Sequence, residues 1–213
     1  MIAIIDYGMG NLRSVQKAFE KVGYEARVTS DPKVVLEAER IVLPGVGAFR
    51  DCIRNLEAGG FIEPILRVIR EGRPFLGICL GLQLLFTESE EFGLHRGLDV
   101  IPGRVVRFAD GLKDGDEDLK VPHMGWNRVR QVRAHPLWEG IEDETRFYFV
   151  HSYYADSAEA PETVGVTDYG VRFTSVAAYG NIFAVQFHPE KSQRAGLRLL
   201  QNFMAWDGRT EKC

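Results

Sequence analysis

Cysteine is scarce in this chain, and its positions are widely separated. The 213 residues include only three cysteines, Cys52, Cys79 and Cys213. An odd number at such wide spacing argues against a disulfide framework and is typical of a reducing compartment. No pair of cysteines has the short spacing of a zinc site. We therefore expect free thiols, with neither a metal nor a cofactor.

Long apolar runs and a surplus of positive charge are also missing. No run approaches the roughly 20 apolar residues that span a bilayer, and the start, MIAIIDYGMGN, lacks the basic leader and apolar core of a signal peptide. The formal net charge of −4 gives no general electrostatic basis for binding nucleic acid or an anionic membrane. With 45% hydrophobic and 26% charged residues, the composition is ordinary for a globular protein. We expect a soluble, cytoplasmic protein in which residues 1–213 form a single domain.

Apolar strands alternate with helices in the first half of the chain. The pattern predicts strands at IAIID, EARVT, RIVLPGVG and PFLGIC. It predicts helices from Asn11 to a stop at Gly23, over SDPKVVLEA, over residues 48–57 and 61–71, and over LGLQLLFTES. Continuous apolar strands separated by amphipathic helices indicate a parallel sheet covered on both faces. The right-handed crossover rule then favours an open, doubly wound α/β architecture.

The second half has a different texture. From about Leu98 the chain shows short β-like runs, which predict hairpins and a mixed extension of the sheet. The acidic segment DGLKDGDEDLK, residues 110–120, is interpreted as a solvated loop. A last helix over residues 193–206 is expected to turn Leu197, Leu200 and Met204 towards the core.

The stretch Gly77-Ile78-Cys79-Leu80-Gly81 stands between a predicted strand and a predicted helix. G-x-C-x-G in this position has the form of a nucleophile elbow, in which flanking glycines avoid collisions with neighbouring backbone. A helix that begins at the cysteine favours thiolate over thiol and offers N–H groups to a developing oxyanion. The alternative is a buried, inert cysteine in an apolar strand, which is how free cysteine usually behaves. The pentapeptide alone leaves both interpretations open.

A thiolate that transfers acyl groups needs a base, and the base needs an orienting group. The stretch AVQFHPEKS places His188 after an apolar strand and Glu190 two residues later. Residues two apart at a strand end project to the same side, so the carboxylate can reach the imidazole. An isolated His-Pro-Glu is otherwise a surface histidine beside a solvated glutamate. Combined with the elbow, it predicts the base and its partner.

Two glycine-rich turns complete the pattern. In LPGVGAF, a strand ends in Pro-Gly-x-Gly at the sheet edge where open α/β folds place their sites, so its amides could form an oxyanion hole with the N–H of Leu80. An ordinary strand-to-helix turn is the alternative. DYGMGN lacks the full G-x-G-x-x-G pattern, which argues against a dinucleotide site. His123 and His151 lack metal-ligand spacing and are interpreted as structural or close to substrate.

Taken in order, GICLGLQLLF, PGVGAF and QFHPEKS resemble a class I, triad-type glutamine amidotransferase. IIDYGMGNLRSV, PHMGWN and YFVHSYY more specifically resemble the family of glutaminase subunits of imidazole glycerol phosphate synthase. The resemblance extends from Ile2 to the last helix, essentially the whole chain. It implies a flavodoxin-like three-layer α/β/α sandwich with a mostly parallel central sheet and a mixed β extension. It also implies that glutamine is hydrolysed to glutamate and ammonia.

The resemblance also implies a role for particular residues. Cys79 would be the nucleophile, His188 the base and later the acid, and Glu190 the group that orients His188. The remaining site residues implied are Val46, Gly47 and Leu80 for the oxyanion, and Gln83, Glu91, Ser152 and Tyr153 for the substrate. In this family a peptide of the Pro-Gly-Val-Gly turn can flip before the oxyanion hole is complete.

The same resemblance implies a partner. The ammonia would pass to a (β/α)8 cyclase subunit, supplied in trans, that forms imidazole glycerol phosphate and an aminoimidazole carboxamide ribotide in histidine biosynthesis. The residues expected near that interface are Asn11, Met124, Trp126, Tyr148 and Lys191, although Lys191 could equally be a plain surface lysine. Two other interpretations stay open: a triad glutaminase that serves pyridoxal phosphate synthesis, and a flavodoxin-like binding module with a structural cysteine.

Overall fold

The computed structural model describes residues 1–209. Cys213, which belongs to the cysteine prediction, lies outside the described residues. The strands are β1 (Ile2–Ile5), β2 (Ala26–Thr29), β3 (Arg40–Gly45), β4 (Phe75–Cys79), β5 (Phe86–Ser89), β6 (His95–Arg96), β7 (Ile101–Arg107), β8 (Lys113–Asp114), β9 (Glu117–Asp118), β10 (His123–Gln131), β11 (Thr145–His151), β12 (Tyr153–Ala155), β13 (Thr163–Asp168), β14 (Arg172–Tyr179) and β15 (Ile182–Val185). The α-helices are α1 (Leu12–Lys21), α2 (Pro32–Glu37), α3 (Phe49–Ala58), α4 (Ile62–Arg70), α5 (Leu80–Gln83) and α6 (Gln193–Ala205).

A parallel half forms one side of the main sheet, in the order β2-β1-β3-β4-β15. This is the order of a flavodoxin-like sheet, in which ligands bind outside the carboxyl ends of the strands. The strands β1, β4 and β15 are buried along their whole length, as expected for strands covered on both faces.

Helices cover both faces of this parallel half. One buried cluster joins the sheet to α1 and α6 through residues such as Phe19 and Phe203. A second cluster joins the opposite face to α3 and α4 through residues such as Leu56 and Ile65. The three-layer α/β/α class predicted from the sequence is therefore confirmed.

The second half of the chain adds antiparallel strands to the sheet, as the short β-like runs predict. β15 pairs antiparallel with β14, and the path continues through β12, β7, β5 and β6. The strands β13, β10 and β11 branch from β14 as a further antiparallel ladder. Within the described chain, no helix is long and apolar enough to cross a bilayer.

The prediction of a helix over LGLQLLFTES was wrong for the second half of that stretch. The helix α5 ends at Gln83, and Phe86–Ser89 is strand β5, which pairs in parallel with β7. Leu84, Leu85 and Phe86 are all buried, so this run has no polar face to fix a helical period. Phe86–Ser89 forms a strand because it pairs with β7, which lies farther along the chain.

Two smaller expectations also need correction. The acidic segment is a small exposed hairpin of β8 and β9, since Gly115 and Asp116 form a tight two-residue turn with Gly115 at φ +60°. In α6, Leu200 is buried as expected, but Leu199 and Phe203 complete the buried face, while Leu197 and Met204 are only partly buried. Gly196 also belongs to the buried face and packs against the backbone of Pro189, where a Cβ atom would overlap the carbonyl oxygen.

Candidate active site

The nucleophile elbow lies where β4 passes into α5. Cys79 has φ 55° and ψ −109°, a conformation that L-residues rarely adopt and that is strained for a non-glycine side chain. A Cβ atom on Gly81 would overlap the carbonyl oxygen of Leu43, and one on Gly77 would lie 2.8 Å from the carbonyl oxygen of Gly81. The glycines therefore allow the tight turn that the sequence predicts around Cys79.

His188 follows β15, which is the strand next to β4 in the sheet. Its Nδ1 is 2.8 Å from Oε1 of Glu190, and both side chains are almost fully buried. Because a carboxylate oxygen accepts, the proton of this bond resides on Nδ1 of His188. Nε2 is buried without a hydrogen-bond partner in the described residues, and His188 lines the same cavity as Cys79.

Charge at this site favours a protonated imidazole. Burial lowers the pKa of His188, but the negative charge of Cys79, together with the hydrogen bond and charge of Glu190, outweighs burial and raises the pKa to about 10. The physical cause is the stabilisation of an imidazolium by neighbouring negative charge. The arrangement is suited to a thiolate–imidazolium pair.

One contact to the thiol was missed by sequence reasoning. Nε2 of Gln186 lies 3.7 Å from Sγ of Cys79, and its Oε1 accepts a 2.9 Å hydrogen bond from Nε2 of Gln83. Gln186 precedes His188 by two residues, and this spacing in an extended segment indicates a shared side. That spacing is the signal that could have found it.

The Pro-Gly-Val-Gly turn forms one wall of the site. Gly47 has φ +97°, and neither Val46 nor Gly47 donates its amide to an acceptor within the described chain. Leu80 is the first residue of α5, so its N–H has no partner within that helix. Free amides of this kind can hold a negatively charged oxygen.

A second group missed from the sequence lies beneath this turn. The hydroxyl of Tyr7 donates to the carbonyl of Pro44 at 3.0 Å, and Sγ of Cys52 lies 3.7 Å from the carbonyl oxygen of Val46. Burial raises the pKa of the Cys52 thiol to about 11. This buried thiol supports the turn and is poorly suited to act as a nucleophile.

The cavity itself has a volume of about 330 Å³. It brings together residues from the parallel half and from the β11–β12 connection. Its lining comprises Val46, Gly47, Cys79, Leu80, Gln83, Glu91, Pro122, Val150, His151, Ser152, Tyr153 and His188. Every oxyanion and substrate residue that the resemblance implies is in this lining, whereas Glu190 contacts the site through His188.

Two polar side chains of the lining are already engaged. Oε2 of Glu91 accepts a 2.6 Å hydrogen bond from the amide of Phe49, and burial raises the pKa of Glu91. Nε2 of Gln83 donates to the carbonyl of Tyr153 at 2.9 Å, while its Oε1 is buried without a partner in the described residues. The Oε1 atom of Gln83 is therefore an acceptor without a partner on a residue that lines the same cavity as Cys79.

Most of the residues expected at an interface lie close to one another on the surface. Met124 and Trp126 are exposed on β10, and the Trp126 ring meets the Tyr148 ring edge-on with centroids 6.0 Å apart. Nζ of Lys191 lies 5.8 Å from the centroid of Tyr148. Asn11 stands apart in sequence, at the start of α1.

The described residues contain no group of three or more histidine, cysteine or acidic side chains that could hold a metal ion. The site is instead a strained cysteine, a buried histidine–carboxylate pair and free backbone amides around one cavity. On this α/β fold, these features are compatible with the class I glutamine amidotransferases that the sequence resembles. The family model for class I glutamine amidotransferases matches residues 3–206, and the chain belongs to this family.

Curated relatives narrow the family further. The chain is 65% identical to the imidazole glycerol phosphate synthase subunit HisH of Geobacter sulfurreducens, over 95% of this chain and 97% of that protein. It is 63% identical to the subunit of the same name from Geobacter metallireducens, over 95% and 96% of the two chains. Within its class, the chain thus falls among the HisH glutamine amidotransferase subunits and is an enzyme. The family resemblance seen in the sequence is confirmed.

Solved structures support the fold at much lower sequence similarity. A crystal structure of a glutamine amidotransferase superposes with a TM-score of 0.73 at 18% identity, covering 96% of this chain and 98% of the other. The agreement at this identity is evidence of a shared architecture.

Proposed function

We propose that the chain hydrolyses glutamine to glutamate and ammonia at the cavity around Cys79. One observation carries the proposal: the strained elbow cysteine and the buried His188–Glu190 pair meet at the same cavity. A nucleophile, a base and an orienting carboxylate are the groups that acyl transfer through a thioester requires.

The chemistry follows from the proton positions. The Cys79 thiolate attacks the side-chain amide carbon of glutamine, and the tetrahedral intermediate collapses as its C–N bond breaks. The imidazolium of His188 gives its Nε2 proton to the leaving nitrogen, so ammonia departs and a γ-glutamyl thioester remains. Neutral His188 then takes a proton from water, which attacks the thioester and releases glutamate and the thiolate. Glu190 keeps the ring oriented through Nδ1.

The same cavity offers groups for the rest of the substrate. The free amides of Val46 and Gly47, with that of Leu80, are proposed to hold the oxyanion. Gln83 and the Ser152–Tyr153 backbone are proposed to bind the amino-acid end of glutamine. The Glu91 carboxylate is proposed to meet its α-ammonium group, because opposite charges attract strongly in a partly buried site.

Ammonia released into water at neutral pH would be mostly protonated and unreactive as a nucleophile. The relatives are named as subunits of imidazole glycerol phosphate synthase. We therefore propose that the ammonia passes directly to a cyclase subunit of that enzyme, within histidine biosynthesis in the cytoplasm. The exposed Met124 and Trp126, with Tyr148, Lys191 and Asn11, are proposed to contact that subunit.

The proposal is tested by ammonia release from glutamine, with and without the cyclase subunit and its nucleotide ligand. We expect low activity for the isolated chain and a large increase with the liganded partner. His188→Asn should lower the rate by at least about 100-fold, because it removes the acid and base. A rate equal to that of the parent chain would contradict the role of His188.

A second experiment identifies the nucleophile. A glutamine analogue that carries an electrophile, offered with the partner present, should modify Cys79 and leave the buried Cys52 unmodified. Mass spectrometry of the digested chain separates the two positions. Cys52 provides an internal control for general thiol reactivity. Turnover by Cys79→Ala at the parental rate would refute the assignment.

A further inference from the structure

Two histidines that this chemistry does not use lie buried beside the cavity. His123 begins β10, and its ring stacks on Tyr169 and Phe149, with centroids 4.0 Å and 4.9 Å away. His151 ends β11, and its ring packs 5.2 Å from the ring of Phe173. A buried polar ring among aromatic side chains is unfavourable unless its nitrogens are hydrogen-bonded.

The hydrogen bonds of these rings fix both tautomers. Nδ1 of His151 is 2.8 Å from the carbonyl oxygen of Tyr153, and a carbonyl can only accept, so that nitrogen carries the proton. Nε2 of neutral His151 is then an acceptor. It lies 2.9 Å from Nδ1 of His123, which must therefore be the donor. Both rings are the Nδ1–H form.

The hydrogen bond at the other end of this series, between His123 and Asn127, agrees with these tautomers. Nε2 of His123 must be an acceptor, and it lies 3.2 Å from Nδ2 of Asn127, which donates. The orientation of the Asn127 amide is set independently, because its Oδ1 accepts from the amide of Arg128 at 2.7 Å. Its Nδ2 also donates to the carbonyl of Asp168 at 3.0 Å. In the three hydrogen bonds that link Asn127, His123, His151 and Tyr153, the donor is thus always on the side of Asn127 and the acceptor on the side of the cavity.

Burial keeps both rings neutral. Burial lowers the pKa of His123 to about 4, and burial followed by the charge of His123 lowers the pKa of His151 to about 3. A protonated ring would turn an acceptor nitrogen into a donor and would break the series. At neutral pH the series of bonds is therefore intact.

The series ends on a carbonyl that belongs to the cavity. The oxygen of Tyr153 accepts from His151 on one side and from Nε2 of Gln83 on the other. His151, Ser152 and Tyr153 all line the cavity. The carbonyl of Tyr153 is thereby held by His151 at the end of β11 and by Gln83 of α5. These bonds add to the hydrogen bond from the amide of Phe108 to the carbonyl of Ser152 and to the pairing of β12 with β7.

We infer that His123 and His151 are positioning residues that hold the Ser152–Tyr153 backbone in place for the amino-acid end of glutamine. The inference rests on the proposed function, since it deepens the role of that backbone. Alternate residues of β10 point to opposite faces: His123 and Asn127 lie inward, while Met124 and Trp126 are exposed. One strand thus joins the substrate backbone to the surface proposed for the cyclase.

The first test is spectroscopic and does not depend on activity. Long-range ¹H–¹⁵N spectra of the whole chain, labelled at histidine, report which ring nitrogen carries the proton. We expect the Nδ1–H form for His123 and His151 at pH 7, assigned with the single variants His123→Phe and His151→Phe. An Nε2–H form or an imidazolium at either position would overturn the inference.

The second test is kinetic and uses the chain with its liganded cyclase partner. His123→Phe preserves an aromatic ring in the cluster but removes the donor to His151. We expect KM for glutamine to rise about fivefold, the equivalent of one net hydrogen bond, with kcat changed less than twofold. The matched control is His135→Phe, another buried histidine, whose Nδ1 accepts from the amide of Leu137 away from the cavity. It should leave KM unchanged.

The outcomes separate the two proposals. An unchanged KM in folded His123→Phe, or an equal rise in both variants, would overturn the positioning role while leaving glutamine hydrolysis in place. If the parent chain released no ammonia with its partner, the proposed function and the substrate role of these histidines would both fail. The ¹⁵N spectra would still decide whether the hydrogen-bond series exists.

Discussion

At the scale of single residues, the backbone of Cys79 stores strain. Its φ of 55° with ψ of −109° is a conformation that glycine adopts at little cost. We expect Cys79→Gly to be more stable to unfolding than Cys79→Ala by about 1 kcal/mol, although both are inactive. Urea unfolding of the two variants measures the difference. Equal stability, or a more stable alanine variant, would show that the elbow is not strained.

The charge state of His188 gives a second residue-scale prediction. Because the negative charge of Cys79 is the leading influence that raises the pKa of His188, Cys79→Ala should lower that pKa. In the parent chain the ring should stay protonated at pH 8, whereas in the variant it should titrate at a lower pH. Histidine ring resonances followed from pH 5 to 10 provide the measurement. An identical titration in both proteins would exclude a charge interaction between the two residues.

At the scale of elements, the contact between α5 and β3 depends on Gly81. A Cβ atom there would overlap the carbonyl oxygen of Leu43, so Gly81→Ala should force the helix away from the strand. We expect a loss of about 3 kcal/mol or more in the free energy of unfolding, together with loss of glutaminase activity. Thermal unfolding and ammonia release measure the two effects.

Gly180 provides the matched control for this substitution. It has φ +57° and no neighbour within 4 Å of a built Cβ atom, so Gly180→Ala adds backbone strain of about 1 kcal/mol without a collision. Its activity should be retained. If both alanine variants behaved alike, crowding at Gly81 would not be the reason for that glycine.

Local pattern was sufficient for some elements and insufficient for others. The strands β1 to β4 and the helix α1 could be predicted because their residues are apolar at the period of the element. The boundary between α5 and β5 could not, because Leu84, Leu85 and Phe86 are buried in both possible conformations. At that boundary, the pairing of β5 with β7 determines where the helix ends and the strand begins.

The site shows the same limit. Cys79, His188 and Glu190 could be grouped from the sequence because each sits in a short motif with a chemical reason for its spacing. Gln186 follows β15, and it reaches Sγ of Cys79 at the end of β4 because β15 and β4 are neighbours in the sheet. Its spacing from His188 indicates a shared side, but the sheet order determines the contact with the thiol. His123 and His151 likewise lie in separate parts of the sequence, and the pairing register of β10 with β11 places them opposite each other.

For the whole molecule, buried histidines set the dependence of stability on pH. The pKa values of His123, His135 and His151 are lowered to between about 3 and 4, while in an unfolded chain histidine titrates near 6.5. Below about pH 6.5 the unfolded state therefore binds more protons than the folded state. Stability should fall as pH drops from 6.5 towards 4, by about 1.4 kcal/mol per pH unit for each histidine.

His188 affects the dependence of stability on pH in the opposite direction. Its pKa is raised to about 10, so the stability that it contributes is complete below about pH 6.5 and is lost as pH rises through 10. Urea unfolding from pH 4.5 to 10 should show maximal stability near neutrality. His135→Phe should flatten the acid side only. Stability that stays constant between pH 7 and 5 would contradict these shifts.

The junction between β15 and its two neighbours has an evolutionary consequence. β15 pairs in parallel with β4, which ends at Cys79, and antiparallel with β14, which leads into the second half of the sheet. Cys79 and His188 thus belong to the parallel half of the fold, whereas the Val150–Tyr153 wall of the cavity belongs to the antiparallel half. Substitutions in the antiparallel half can therefore reshape what the cavity admits without displacing the thiol.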